Sequence, residues 1–297
     1  MVSRDNGLLR SHGRFPYSPI VRRVGFAWPA GKRLAVYVAL NLEHYAFGEG
    51  LVEELVPGMA QPDVLNHSWR EYGNRVGAWR LARLLDDLQM PATVHVNSDR
   101  YTHCPELVAA FRGRGDEIAA HGRTNSERQS GLAEDAERAL IAEATEAVAR
   151  HEGRRPAGWL GPWIAETPVT PDLLQEAGYG YLLDWCADDQ PVWLATRRGR
   201  LLAVPYPQEL NDSSAIIGRR VGPSEFADMI VDQFEEMLEQ SAGEALVMGL
   251  ALHSYIVGQP FRLRCLRRAL SHIAGRGETI WLTTAGRIAR HYAAACP

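Results

Sequence analysis

Short apolar runs alternate with segments of helical periodicity about seven times along the chain, and this alternation limits the fold more than any other feature. RLAVYVALNLE (33–43) is aliphatic and β-branched over the length of a buried strand. ATVHVN (92–97) and DEIAAH (116–121) read as strands too, as do stretches near 157–160, 180–184, 201–205 and 245–252. Between them, Leu81, Leu84, Leu85 and Leu88 fall at i, i+3, i+4 and i+7, which predicts an amphipathic helix over 70–89. PELVAAFRGRG (105–115) predicts a short helix stopped by glycines. LAEDAERALIAEATEAVARHEG (132–153) predicts a long one, acidic early and basic late, as the helix dipole favours. Further helices are expected over 170–177, 223–241, 260–274 and 284–294. Apolar strands covered on both faces by helices predict an α/β chain, either a parallel barrel or a doubly wound sheet. The stretch 44–66 reads as a long loop, and loops of that length in compact domains are often functional.

Length and composition narrow the setting. The 297 residues suffice for one large barrel, and 46% hydrophobic residues can build its core. No composition break or linker divides them, so one domain is expected over 32–297, preceded by an Arg-, Gly- and Pro-rich arm over 1–31. A net charge of −4 argues against nucleic acid or a membrane surface as partner. No run approaches the roughly 18 apolar residues of a membrane span, and the first twenty residues lack the apolar core of a secretory signal. A cytoplasmic location is therefore expected. Cys104, Cys186, Cys265 and Cys296 are widely spaced, which excludes a zinc ribbon and fits reduced thiols.

Polar residues collect where the apolar runs end. Asn41, Glu43 and His44 end the first run, and His121 ends the run over 116–121. Trp159, Trp163 and Glu166 follow the next, and Asp184, Trp185, Asp188 and Asp189 the one after. Glu209, Asn211 and Asp212 follow LAVPYPQ, and His253 closes LVMGLALH. In a (β/α) barrel the carboxyl ends of all strands open onto one face, which holds the chemistry. Six strands each delivering a polar group to one rim exceeds what solvation requires. Singly, each has a plainer reading: Glu209 and Asp212 in a turn, the aspartates paired with arginines, the tryptophans in the core.

At these residues the chain resembles the polysaccharide deacetylase superfamily, the NodB-homology fold, and within it the cofactor-independent allantoinases and cyclic-imide hydrolases. Five ordered segments carry the likeness: NLEH (41–44), HGRTN (121–125), RRPAGWLGPW (154–163), DWCADDQP (184–191) and LH (252–253). No one of them is specific; their order and spacing are. The resemblance spans roughly 33–290 and implies a distorted (β/α)7–8 barrel. It also implies hydrolysis of a non-peptide carbon–nitrogen bond and, as in similar proteins, a homo-oligomer, dimer or tetramer. Two departures stand out. The family's second motif, H-[ST]-x-x-H, ends here in Asn125, and its first motif has no Asp.

Amide or imide hydrolysis needs an activated water, a group to hold the oxyanion, and an acid for the departing nitrogen. One divalent metal, zinc, would supply the first two, with Glu43, His121 and Asn125 as ligands and His44 as an alternative. Asn is a poor zinc ligand. Without metal, Glu43 would be the base, its pKa raised by burial beside tryptophans, and His253 the acid. The oxyanion would then face Trp159, Asn125 or backbone N–H groups. Asn41, Trp163, Asp184, Trp185, Glu209 and Asp212 are the expected substrate contacts. Tryptophans around a closed site suit a small planar ring, so a cyclic amide, imide or ureide is the expected substrate. Metal-dependent N-deacetylation of an amino sugar or glycan is the alternative, and a catalytically silent barrel that binds a small ligand is the second.

Overall fold

The computed structural model describes residues 11–297; the first ten residues of the expected arm lie outside them, apart from the antiparallel pairing of Arg4–Asp5 with Leu8–Leu9. The strands are β1 (Leu34–Leu42), β2 (Ala92–Val96), β3 (Glu117–Ala120), β4 (Gly158–Trp159), β5 (Tyr181–Leu182), β6 (Val192–Thr196), β7 (Gly199–Ala203), β8 (Leu246–His253) and β9 (Trp281–Thr283). They form one curled sheet in the order β8-β1-β2-β3-β4-β5-β7-β6, with β9 on the lower half of β1. All pairs are parallel except β6 with β7. The wall between β7 and β8 is not a regular strand. Asn211 bridges Ala251, and the Ala251 N–H donates to Leu210 O at 3.0 Å. The result is the distorted, incompletely closed α/β barrel that the sequence predicts.

The longer helices are α1 (Val64–Tyr72), α2 (Ala78–Asp87), α3 (Pro105–Gly113), α4 (Glu134–Glu152), α5 (Thr170–Glu176), α6 (Pro223–Gln240), α7 (Pro260–Ala274) and α8 (Ala285–Ala295). One expectation changes. The single helix over 70–89 is two, joined by a π-turn over Gly73–Gly77. The cause is contact: a Cβ on Gly77 would meet Ser254 O at 2.1 Å, so backbone packs on backbone where β8 ends. Two strands carry signals too short to read alone: β6, which pairs with the expected β7 across the turn at Arg197–Arg198, and β9.

The strand period of two sorts the core. Leu34, Val36, Val38, Leu40 and Leu42 of β1 face the helices, whereas Ala35, Tyr37 and Ala39 face the barrel interior. Continued past the strand, the same alternation puts Asn41 and Glu43 inside at the carboxyl end and His44 outside. In β8, Leu246, Met248, Leu250 and Leu252 pack outward, while Val247 and Ala251 pack inward with His253 above them. The segment before β1 belongs to this interior. Trp28 is 1% exposed in the inner cluster, and its Nε1 donates to Leu246 O at 2.9 Å. Arg14 forks onto Asp172 at 2.9 and 2.8 Å, and Arg23 onto Asp188 at 2.7 and 2.5 Å.

Candidate active site

Glu43, His121 and His253 converge at the carboxyl ends of β1, β3 and β8, on a cavity of about 150 Å³. Glu43 Oε1 lies 3.3 Å from His253 Nε2 and 3.6 Å from His121 Nε2. Its other oxygen, Oε2, accepts from Tyr45 OH at 2.7 Å and Tyr255 OH at 2.6 Å. Two phenols therefore hold one oxygen and leave the other facing the imidazoles. His253 is anchored from behind: its Nδ1 pairs with Asp212 Oδ1 at 2.6 Å, and its peptide N–H donates to Asp212 at 2.8 and 3.1 Å. This bond fixes Nε2 as the imidazole nitrogen that meets Glu43. His121 Nδ1 reaches Leu160 O at 2.6 Å, and a carbonyl can only accept, so Nδ1 carries the hydrogen. His121 Nε2 is buried and has no hydrogen-bond partner.

Electrostatics assign charge to this array. Burial opposes a charge on Glu43, but the His253 charge and the close approach of the His121 and His253 imidazoles outweigh it and hold the carboxyl well below its usual range. Burial also opposes a charge on His253, yet the carboxylates of Glu43 and Asp212 outweigh that and hold the imidazole well above its usual range. The pair is carboxylate and imidazolium. The sequence-based expectation that burial raises Glu43 is thus corrected, because the cation beside it dominates.

Asn125 adds a donor. Asn97 Oδ1 accepts from the His44 peptide N–H at 2.7 Å, so Asn97 Nδ2 is fixed as a donor. It donates to Asn125 Oδ1 at 3.0 Å, which turns the Asn125 NH₂ toward the cavity. The same reasoning applies to Asn211, whose Oδ1 accepts from the Ser213 N–H at 3.0 Å and whose NH₂ is free for the cavity. Asn41 is held between His95 Nδ1 at 3.0 Å and Tyr206 OH at 3.1 Å. Trp163 flanks the cavity and donates from Nε1 to Asn125 O at 2.8 Å.

Other expected site residues fall elsewhere. Trp159 faces outward and is fully buried against Tyr179, since the strand period turns it toward the helices. Trp185 packs on Phe15 and His12 and donates to Glu166 Oε2 at 2.9 Å. Asp184 sits behind the wall, accepting from the Gly161 N–H at 2.7 Å. Burial pushes up the carboxyls of both Asp184 and Glu166, and the Asp184 charge pushes Glu166 further. Glu209 is exposed on the rim and pairs with Arg219. Asp212 orients His253 and does not line the cavity.

The donor set is a poor fit for zinc. Asn125 Oδ1, an amide oxygen and so a weak zinc ligand, already accepts from Asn97, and His44 stacks on His103 outside the cavity at 4.1 Å between ring centres. The Glu43 oxygen Oε2 is occupied by two phenols, and Asp212 holds His253 Nδ1, leaving only Nε2, which faces Glu43. Among the described residues, no three of His, Cys, Asp or Glu are arranged to hold a metal ion. The residues that sequence reasoning passed over are Tyr45, Glu53, His95, Asn97, Tyr206, Ser213 and Tyr255. Only the length of the 44–66 loop signalled any of them.

The polysaccharide deacetylase family model matches residues 71–182. A fission yeast protein (Schizosaccharomyces pombe) provisionally named a polysaccharide deacetylase is 26% identical over 300 residues, covering 91% of this chain and 93% of its own. The structure of a Pseudomonas aeruginosa PAO1 protein, also provisionally named a polysaccharide deacetylase, superposes with a TM-score of 0.84 at 26% identity, covering 95% of this chain and 99% of that one. The PuuE allantoinase structure superposes with a TM-score of 0.83 at 26% identity and the same coverage.

Proposed function

We propose that this chain, which carries a polysaccharide deacetylase domain of the NodB type, opens a small cyclic amide, imide or ureide by metal-independent hydrolysis. The coarse class, hydrolysis of a non-peptide carbon–nitrogen bond, is the one that its deacetylase and allantoinase relatives share. One observation carries the finer reading: the Glu43–His253–Asp212 array opens on a cavity of only about 150 Å³. Such a cavity suits a single ring better than a polymer, and likeness to an allantoinase points the same way.

In this reading Glu43 Oε1 takes a proton from a water that attacks the ring carbonyl carbon. The Asn125 and Asn211 NH₂ groups donate to the developing oxyanion. His253 then delivers its Nε2 proton to the ring nitrogen as the carbon–nitrogen bond breaks. A proton now rests on Glu43, and it passes across the 3.3 Å gap to His253 Nε2 to restore the array. A carboxylate held at low pKa is a weak base, so the attack step depends on the Asn125 and Asn211 donors that stabilise the oxyanion while the proton is taken.

The test is a panel of allantoin, hydantoin, dihydrouracil and succinimide, with an N-acetylglucosamine oligomer as control, run with and without a chelator on protein of measured metal content. Ring opening that survives the chelator is expected. Zinc-dependent release of acetate from the sugar, with no ring opened, overturns the reading in favour of the deacetylase alternative. Such an enzyme would work on a diffusible substrate in the cytoplasm; among the described residues, no helix is long and apolar enough to cross a membrane. We also propose a homo-oligomer. Tyr17, Val21 and Val24 are 91%, 78% and 90% exposed, and a partner subunit would cover them. A monomer mass by light scattering removes that proposal.

A further inference from the structure

The loop between β1 and α1 delivers a second carboxylate to the cavity. Glu53 lines it together with Glu43, His121 and His253. The loop that carries it is fastened at several points. The Leu51 N–H donates to Ser126 O at 2.8 Å, and the Ala46 N–H to Ser126 Oγ at 2.7 Å. Asn66 accepts from the Leu55 and Val56 N–H groups at 2.9 and 3.0 Å and donates back to Val56 O at 2.9 Å. Arg70 holds the Glu53 carbonyl at 2.6 Å. Glu53 is therefore aimed by a built scaffold.

The carboxylate itself is under-partnered. Its Oε2 accepts one bond, from Ser213 Oγ at 3.1 Å, and Oε1 has no protein partner among the described residues. No lysine or arginine among the described residues pairs with it. Arg70, which holds its backbone, spends its guanidinium on the carbonyl and on the face of Tyr45, 4.9 Å from the ring centre. A partly buried carboxylate without a counter-ion is costly to keep, so a structural role would have brought a cation. Burial raises its pKa; the His253 charge offsets part of that, and the Glu43 and Asp212 charges add to the cost.

The rest of the wall gives the complement. Among the described residues no lysine or arginine lines the cavity, and the one cation there, His253, lies between Glu43 and Asp212. Nothing there is placed to receive an anion. The free donors, the NH₂ groups of Asn125 and Asn211, suit carbonyl oxygens, and the free acceptor, Glu53 Oε1, suits an N–H.

Resting on the hydrolase reading above, we propose that Glu53 is the residue that sets substrate class. It receives an N–H of the ring, or of a urea group on it, that is distinct from the scissile nitrogen. It thereby selects neutral, N–H-rich ureides and hydantoins over simple imides, and it excludes rings that bear a carboxylate. The recognition is chemical: a carboxylate accepts from a urea-type N–H, cannot be satisfied by a CH₂ in the same place, and repels an anion.

The test uses the full-length protein, E53Q and E53A, with hydantoin, its derivative methylated on the non-scissile nitrogen, succinimide, and hydantoin-5-acetate. Steady-state kinetics and calorimetric binding are both recorded. E53Q is expected to raise KM for hydantoin about tenfold, with kcat little changed and succinimide unaffected. Methylation should cost the wild type a similar factor and cost E53A little more, since E53A has already lost the acceptor, whereas E53Q keeps an amide oxygen and loses only the charge. The carboxylated ring should bind the wild type weakly and E53Q better. Equal effects of E53Q on hydantoin and succinimide, or none on either, overturn the proposal while leaving ring hydrolysis intact. Binding that favours the N–H-rich ring through Glu53, without turnover of any ring, upholds it and removes the hydrolase reading instead. No preference in kinetics or in binding overturns it outright.

Discussion

Glu43 is the residue on which the chemistry turns, and its behaviour follows from four neighbours. Tyr45 and Tyr255 hold Oε2, while His121 and His253 face Oε1. Replacing it with Gln keeps the shape and removes the base. E43Q is expected to lose about three orders of magnitude in turnover, within the usual range for general-base loss, while circular dichroism shows an intact fold. The pH profile follows from the two opposed shifts. Turnover needs Glu43 ionised and His253 protonated. Glu43 is held low and His253 high, so the rate should be flat across the interval between an ordinary carboxylate near 4.3 and an ordinary imidazole near 6.5, with both limbs outside it. D212N removes a negative charge that favours the imidazolium, so the pKa of His253 falls and the basic limb moves to lower pH. An unmoved limb would show that His253 is not the acid.

The elements matter chiefly through where they stop. The period of two in β1 sends Asn41 and Glu43 inward and His44 outward, which removes His44 as the alternative metal ligand. That same period removes Trp159 from the site. Loop 44–63 is the opposite case, since no periodicity describes it. Its placement hangs on contacts such as Gly50, which has a φ of 74° and where a Cβ would meet Ser126 O at 2.4 Å. G50A adds left-handed strain to that overlap and should displace the loop. We expect KM for a ring substrate to rise about tenfold and stability to fall by about 1–2 kcal/mol, read from urea unfolding.

For the whole molecule, the chain before β1 is part of the barrel's integrity. Trp28 fills the inner cluster beside β1 and β8, and the Arg14–Asp172 and Arg23–Asp188 pairs strap the preceding residues to the surface. W28A opens a large interior cavity and should cost about 3–5 kcal/mol by denaturant titration, with the kinetic constants of the surviving folded protein little altered. A large loss of kcat at full occupancy of the folded state would instead tie the arm to the catalytic mouth.

The linear order of residues determined the class of fold and the address of the chemistry. Apolar runs of strand length between amphipathic helices demand a covered parallel sheet, and such a sheet gathers its carboxyl ends on one face. Glu43, His121 and His253 were readable on that ground. Which of their partners matter was decided only in three dimensions. Tyr45, Tyr255, Asp212 and Glu53 act through distance and orientation across elements far apart in sequence, and a tyrosine or glutamate in a loop looks the same whether it faces water or a catalytic carboxylate. Charge was decided there too: burial alone would have made Glu43 reluctant to ionise, and only the imidazolium at 3.3 Å reverses that sign.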